Sequence, residues 1–262
     1  MIEFKACRKC HHTKGPVPEG YYMEERLNPR TGSIKVPVMI ECEHHRIWRI
    51  KKSAEKKFID NGFNKDFYDY DIANYKGNES ISNVNRLIKY VHLFDNKDEN
   101  TRRQVTKSVI YLYGPNGTQK TTLANWIGSE LLQKGVSCCY ALMKKIIDEL
   151  WESQRDEEAK AYIDKLLKCD VLIIDEAFSK DKIHLWQSGN QIGYIDEFLR
   201  ERLNNGKGII FISNNSPSEI ESQGFSHSIH DLVNRELLKT DGTMKMTDKY
   251  FDNIGQIPES LF

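Results

Sequence analysis

Lys120 and Thr121 close a glycine-bounded stretch, "GPNGTQKTTL" (114–123). Its order follows the pattern G-x-x-x-x-G-K-[ST]. In that pattern backbone N–H groups cradle phosphates, the lysine reaches the β/γ oxygens and the hydroxyl serves Mg²⁺. Gly114, Pro115, Asn116, Gly117, Thr118, Gln119, Lys120, Thr121 and Thr122 are therefore the candidate nucleotide-binding residues. Gln119 stands where the pattern has its second glycine. In helical or bridge-region geometry a glutamine still presents its N–H but narrows the space, and Gly117 supplies compensating freedom. The expectation is a site that is altered and slower, not abolished.

Downstream, "VLIIDE" (171–176) ends an apolar run in two carboxylates. Asp175 is suited to hold Mg²⁺ together with Thr121, and Glu176 to polarise an attacking water. A strand-end acidic pair is weak evidence alone; after a phosphate loop, with two helices between, it is strong. "FISNN" (211–215) puts Asn214 at another strand end, where its amide can orient the water or touch the γ-phosphate. "HSIHDLVNREL" (227–237) carries Arg235 on an expected helix. Alone it reads as a surface cation; beside a neighbouring subunit's phosphates it reads as an arginine finger.

The cysteines form two groups. Cys138, Cys139 and Cys169 sit in or beside apolar runs and read as small core hydrophobes. Cys7 and Cys10 ("CRKC") and Cys42 ("CEHH") lie in a polar N-terminal stretch. Zn²⁺ takes four N/S ligands and C-x₂-C is a common half-site. Cys7, Cys10, Cys42 and His45 are the candidate zinc ligands; His44 and, further down, His11 and His12 are the alternatives. Between them "IKVPVMI" (34–40) reads as β-like, suiting a small metal-held ribbon.

The elements that must position these residues follow from pattern. "RIWRIKKSAEKKFID" (46–60) has helical spacing. The aromatic connector "NGFNKDFYDYDIANYKGN" (61–78) is expected to pack on the domain that follows, with base stacking the second reading. A helix is expected over 82–94, and "DNKDENTRRQVTK" (95–107) reads as a charged surface loop. From Ser108 onward four short apolar strands alternate with amphipathic helices, the mark of a parallel sheet covered on both faces. The fold class is α/β. The domain reading is a zinc-binding, partner-binding segment at 1–60, a linker and connecting helix at 61–107, and a nucleotide-binding domain at 108–262.

Lys+Arg and Asp+Glu number 38 each, so no global field points to nucleic acid or membrane. The N-terminal 60 residues hold 13 Lys and Arg against 8 Asp and Glu, a modest basic end. Charges occupy the place of a secretory apolar region, and no apolar run is long enough for a membrane span, so a cytoplasmic protein is expected.

Taken together, "GPNGTQKTTL", "VLIIDE", "FISNN", "LVNREL", the aromatic connector and the cysteine-bearing end resemble AAA+ ATPases of the bacterial and phage helicase-loader type. The resemblance covers most of the chain. It implies a sheet ordered 5-1-4-3-2, ATP-dependent self-association, and contact with a hexameric replicative helicase and single-stranded DNA. It makes Asn214 the sensor residue and Arg235 the inter-subunit finger, with ATP, Mg²⁺ and Zn²⁺ as cofactors. It also implies no helical lid after residue 250. Transposition helper ATPases of the IstB type share the same core. Gln119 and the long "SKDKIHLWQSGNQ" (179–191) depart from the pattern.

Overall fold

A computed structural model describes residues 20–27, 35–75, 80–96, 98–179 and 190–247. Cys7, Cys10, His11 and His12, most of the 179–191 loop, and the chain beyond residue 247 lie outside the described residues. The chain divides into two compact units, 1–57 and 58–262.

In the first unit, β1 (Tyr21–Leu27) pairs antiparallel with β2 (Lys35–Glu41), Tyr21 opposite Glu41. The Cys42 N–H closes the hairpin base on Gly20 O (2.8 Å), and α1 (Glu43–Asp60) follows at once. Gly20 has φ +90°, and the His45 ring lies where a Cβ would stand. Only glycine meets both demands. β1 was not legible as a strand, because charged residues interrupt its alternation.

In the second unit, β3 (Val109–Tyr113), β4 (Cys138–Leu142), β5 (Val171–Asp175), β6 (Gly208–Ser213) and β7 (Thr243–Lys245) form one parallel sheet ordered β4-β5-β6-β3-β7. Numbered from β3 along the chain, that is the expected 5-1-4-3-2. The central strands are buried on both faces, so their side chains serve two cores alternately. Tyr111, Leu172, Ile174 and Phe211 face α5 (Met143–Glu152), α6 (Glu157–Lys168), α7 (Asn190–Asn204) and α8 (His227–Thr240). Ile110, Leu112, Ile173 and Ile212 face α4 (Lys120–Gln133) and α2 (Ile81–Leu93). Cys138, Cys139 and Cys169 are buried free thiols, as expected.

The stretch 61–107 falls within this second unit. Phe58 and Phe63 stack at 4.6 Å between centroids inside the second core, and Tyr68, Tyr70, Ile72 and Tyr75 pack against it. Phe63 is thus a core residue, and the connector's tyrosines pack against that core. Gly128 on α4 makes room: a Cβ there would collide with the Phe63 ring. The charged stretch 95–107 is not a loop. It folds as α3 (Glu99–Thr106), because the Asp98 carboxylate accepts the Asn100 and Thr101 N–H groups as an N-cap and Val105 buries.

Arg202, fully buried on α7, joins three elements. Its guanidinium donates to the carbonyls of Leu166 and Leu167 at the end of α6, to Cys169 O (3.2 Å), and to Gly208 O (2.8 Å) at the start of β6. Helix-terminal carbonyls have no intrahelical partner, and the fork of donors satisfies them from the side. Arg202→Met should therefore destabilise the second unit by about 3 kcal/mol, since several buried acceptors lose their donor at once. Urea unfolding checks this; a midpoint equal to the parent's would show that those carbonyls find other partners.

Candidate nucleotide-binding site

The site lies where β3 ends and α4 begins. Gly114 has φ +148°, and a Cβ there would overlap the Met246 carbonyl oxygen. The loop turns through Gly117 (φ +82°), which faces open space. Gln119 then sits at φ 59°, ψ 16°. This corrects the helical or bridge geometry expected of it: the turn into α4 is left-handed, the conformation a glycine adopts without cost. A side chain there costs about 1 kcal/mol. The Gln119 amide adds a second oddity: its Nε2 is buried and has no hydrogen-bond partner among the described residues.

Lys120 curls back under the loop. Its ammonium donates to Gly114 O (2.7 Å), Pro115 O (2.8 Å) and Thr118 Oγ1 (3.2 Å). Burial pushes its pKa down to about 8, with Asp175 opposing. The ammonium thus stays mostly charged at neutral pH, and anionic phosphate oxygens would favour its charged form further.

Opposite the loop, the Thr121 hydroxyl donates to Asp175 Oδ2 (2.8 Å). Tyr140 donates its hydroxyl to the same oxygen (2.6 Å). Burial, and then the Asp175 charge, push the Tyr140 phenol well above its ordinary range, so it stays a neutral donor. Glu176 follows at φ 52°, its N–H on Asp175 Oδ1 (2.7 Å). Its turn is tied to the end of β6, where Ser213 Oγ donates to Ala177 O (2.7 Å) and Asn215 Nδ2 to Phe178 O (3.2 Å). Asn214, between those anchors, faces the cleft.

The resulting cleft, about 410 Å³, brings together Gly117, Lys120, Thr121, Asp175, Glu176 and Asn214, with Asn116, Thr118, Gln119, Thr122 and Tyr140 on its walls. That volume is within the range of small-molecule sites. Gly114 and Pro115 contribute through the carbonyls that hold Lys120. Thr121 Oγ1 and Asp175 Oδ2 are hard oxygen donors side by side, the type of set that Mg²⁺ uses beside phosphates. Arg235 stands elsewhere: it is exposed on α8 and paired with Glu236 (3.2 Å). In the first unit Cys42 is buried and its Sγ lies 3.7 Å from His44 Nδ1, while His45 Nδ1 lies 2.9 Å from Glu41.

Tyr140 escaped the sequence reading because "VSCCYAL" carries no motif. The signal is in the register. Tyr140 pairs with Ile173, so its phenol reaches one pleat forward on the same face to Asp175. Tyr140→Phe should raise the Mg²⁺ concentration needed for half-maximal nucleotide binding several-fold and leave Mg²⁺-free binding unchanged, measured with a fluorescent nucleotide. Gln119→Gly separates the two oddities of that residue. It should stabilise the empty protein by about 1 kcal/mol as strain is relieved. It should weaken nucleotide binding about tenfold as the amide donor is lost. Unchanged affinity would remove the amide from the ligand set.

Residues 84–196 match the family described as IstB-like ATP binding protein. The chromosomal replication initiator DnaA of Campylobacter jejuni is 29% identical over 115 residues, 43% of this chain and 24% of that protein. The replicative helicase loader DnaI of Bacillus subtilis is 26% identical over 141 residues, 54% of this chain and 44% of the loader. The chain thus spans a quarter of the length of the first relative and under half of the second. Among solved structures, the DnaC helicase loader superposes with a TM-score of 0.52 at 19% identity, covering 67% of this chain and 95% of that one. Residues 84–196 are thus similar to the IstB-like ATP-binding proteins, and the α/β fold of the second unit, with its five-stranded parallel sheet, is shared with bacterial replication loaders and initiators.

Proposed function

We propose that this protein is an ATP-hydrolysing loader that places a replicative hexameric helicase on single-stranded DNA at replication initiation. The observation that carries the reading is the convergence of Lys120, Thr121, Asp175, Glu176 and Asn214 on one cleft. The similarity to DnaI gives that chemistry its biological direction. In this reading Lys120 leaves the loop carbonyls for the β/γ-phosphates, and the loop N–H groups and the start of α4 hold the remaining charge. Mg²⁺, when bound through Thr121 and Asp175, neutralises charge on the phosphate oxygens. Glu176 accepts a proton from the attacking water, and Asn214 orients that water. Tyr140 fixes the Asp175 carboxylate.

Arg235 acts on ATP held by the adjacent protomer, so self-association and turnover rise together. The first unit binds zinc through Cys7, Cys10, Cys42 and a histidine, and docks the helicase. The contact of Cys42 with His44, and the engagement of His45 by Glu41, favour His44 over His45 as that histidine. The match to the IstB-like description supports a second reading, a transposition helper ATPase that marks target DNA. Pull-down from the native host decides between them: a hexameric helicase supports the loader, and a transposase in its place overturns it.

The finger assignment has its own test. Arg235→Ala should bind ATP almost normally yet lose oligomerisation and hydrolysis, whereas Lys120→Ala loses ATP binding. Mixing the two variants should restore part of the ATPase rate, because some interfaces then pair an intact loop with an intact arginine. A rate that stays at zero across all mixing ratios, with both variants folded, would overturn the assignment, as would parent-like activity of Arg235→Ala alone.

A further inference from the structure

The first turns of α8 carry a cluster that the nucleotide chemistry does not use. His227, His230 and Asp231 lie on the helix, and the turn before it brings Glu221 alongside. Glu221 Oε1 is 2.5 Å from His227 Nδ1 and 3.0 Å from His230 Nδ1. On its other side, His227 Nε2 is 3.1 Å from Asp231 Oδ2. The ligand atoms of Glu221, His227 and His230 all lie within 4.8 Å of one another.

Hydrogen bonding accounts for only half of this arrangement. His227 bonds to Glu221, but His230 Nδ1, though buried and 3.0 Å from the same oxygen, makes no hydrogen bond. A buried ring nitrogen that lacks a hydrogen bond is left with its ion pair to Glu221 when the ring is charged, and in the neutral ring it is costly unless something else takes its lone pair. The far side of the His230 ring supports that reading. Its Nε2 lies 2.7 Å from the Asn234 side-chain amide, whose oxygen and nitrogen exchange places by a simple flip. With the oxygen turned in, Asn234 accepts from Nε2–H and leaves Nδ1 unprotonated, facing Glu221. Metal-ligating histidines are typically oriented by such an outer partner.

We infer that Glu221, His227 and His230 form a divalent transition-metal site at the N-terminal end of α8, with Asp231 or water completing the shell. Two imidazoles and a carboxylate are a set that Zn²⁺ accepts at about 2.0–2.2 Å per bond. Modest movement of three side chains, two of them largely exposed, would bring these atoms onto one ion. The ion would staple the turn containing Glu221 to the helix that carries Arg235. The inference is independent of the helicase-loading proposal.

The test is zinc binding by the full chain, stripped of metal and titrated with Zn²⁺ alone. The parent should hold one equivalent more than His230→Gln and one more than Glu221→Gln, and should gain in melting temperature where both variants do not. Zinc held by the N-terminal cysteines is common to all three and cancels in the comparison. In the difference spectrum between the parent and Glu221→Gln, Co²⁺ should give visible bands without thiolate charge transfer. Asn234→Leu should weaken binding about tenfold or more while preserving stoichiometry. If His230→Gln misfolds, Glu221→Gln decides, since it leaves α8 intact. Equal stoichiometry and equal melting shifts in the parent and the folded variants would overturn the site.

Discussion

One carboxylate oxygen fixes the geometry of the nucleotide cleft. Asp175 Oδ2 receives the Thr121 hydroxyl from the start of α4 and the Tyr140 hydroxyl from β4, so three parts of the sheet-and-helix scaffold meet at one atom. Its partner oxygen takes the Glu176 N–H and sets the direction in which the next side chain leaves the strand. Charge-assisted hydrogen bonds are short and directional, so displacing any of these elements strains the others. The order β4-β5-β6-β3 is what makes this possible. It puts β5 two strands from the phosphate loop, close enough for Thr121 to span the gap and for Asn214 to arrive from the strand between.

The strain at this site is anchored by the cores. Gln119, Glu176 and Phe178 all have positive φ, which a non-glycine residue adopts at a cost unless its surroundings over-determine it. Phe178 supplies that over-determination. It is fully buried, lies parallel to Tyr111 at 6.2 Å and meets Phe225 edge-on at 4.9 Å, while its N–H reaches Met143 Sδ. Burial of a large aromatic ring contributes about 1.5–3 kcal/mol, of the same order as the cost of about 1–2 kcal/mol for each left-handed residue. The turn that presents Glu176 is therefore held from behind by packing, which leaves its carboxylate side to the cleft.

The sequence disclosed those parts of this architecture whose physics is local. Apolar strands buried on both faces, the glycine turn before α4 and the paired carboxylates at the end of β5 each leave a compositional mark. β7 left none: it is three residues long, buries only Met244, and exists because β3 offers it an edge. α3 was hidden because its charges suggest solvent, while its cap and a single buried valine fix it. Gln119 misled for a related reason. Its residue type suggests helical geometry, but the chain enters α4 through a left-handed turn, beside which the carbonyls of Gly114 and Pro115 converge on Lys120. Tyr140 acquires its role only through strand register, which no local window contains.

The aromatic connector gives the cleft a mechanical neighbour. The Asn64 N–H donates to Asn125 Oδ1 (3.0 Å), and Asn125 Nδ2 donates to the carbonyl of Thr121 (2.8 Å). The Tyr140 N–H donates to Asn61 O (2.9 Å), and the Phe63 ring packs 5.6 Å from that of Tyr140. Residues 61–64 thus touch both groups that hold Asp175, through a fully buried asparagine on one side and a tilted ring contact on the other. Close-packed interiors transmit small displacements instead of absorbing them. Any displacement of Thr121 or Tyr140 is therefore transmitted to Asn61 and Asn64. In this chain residues 61–64 are tied by hydrogen bonds and packing to the same two groups that set the Asp175 carboxylate.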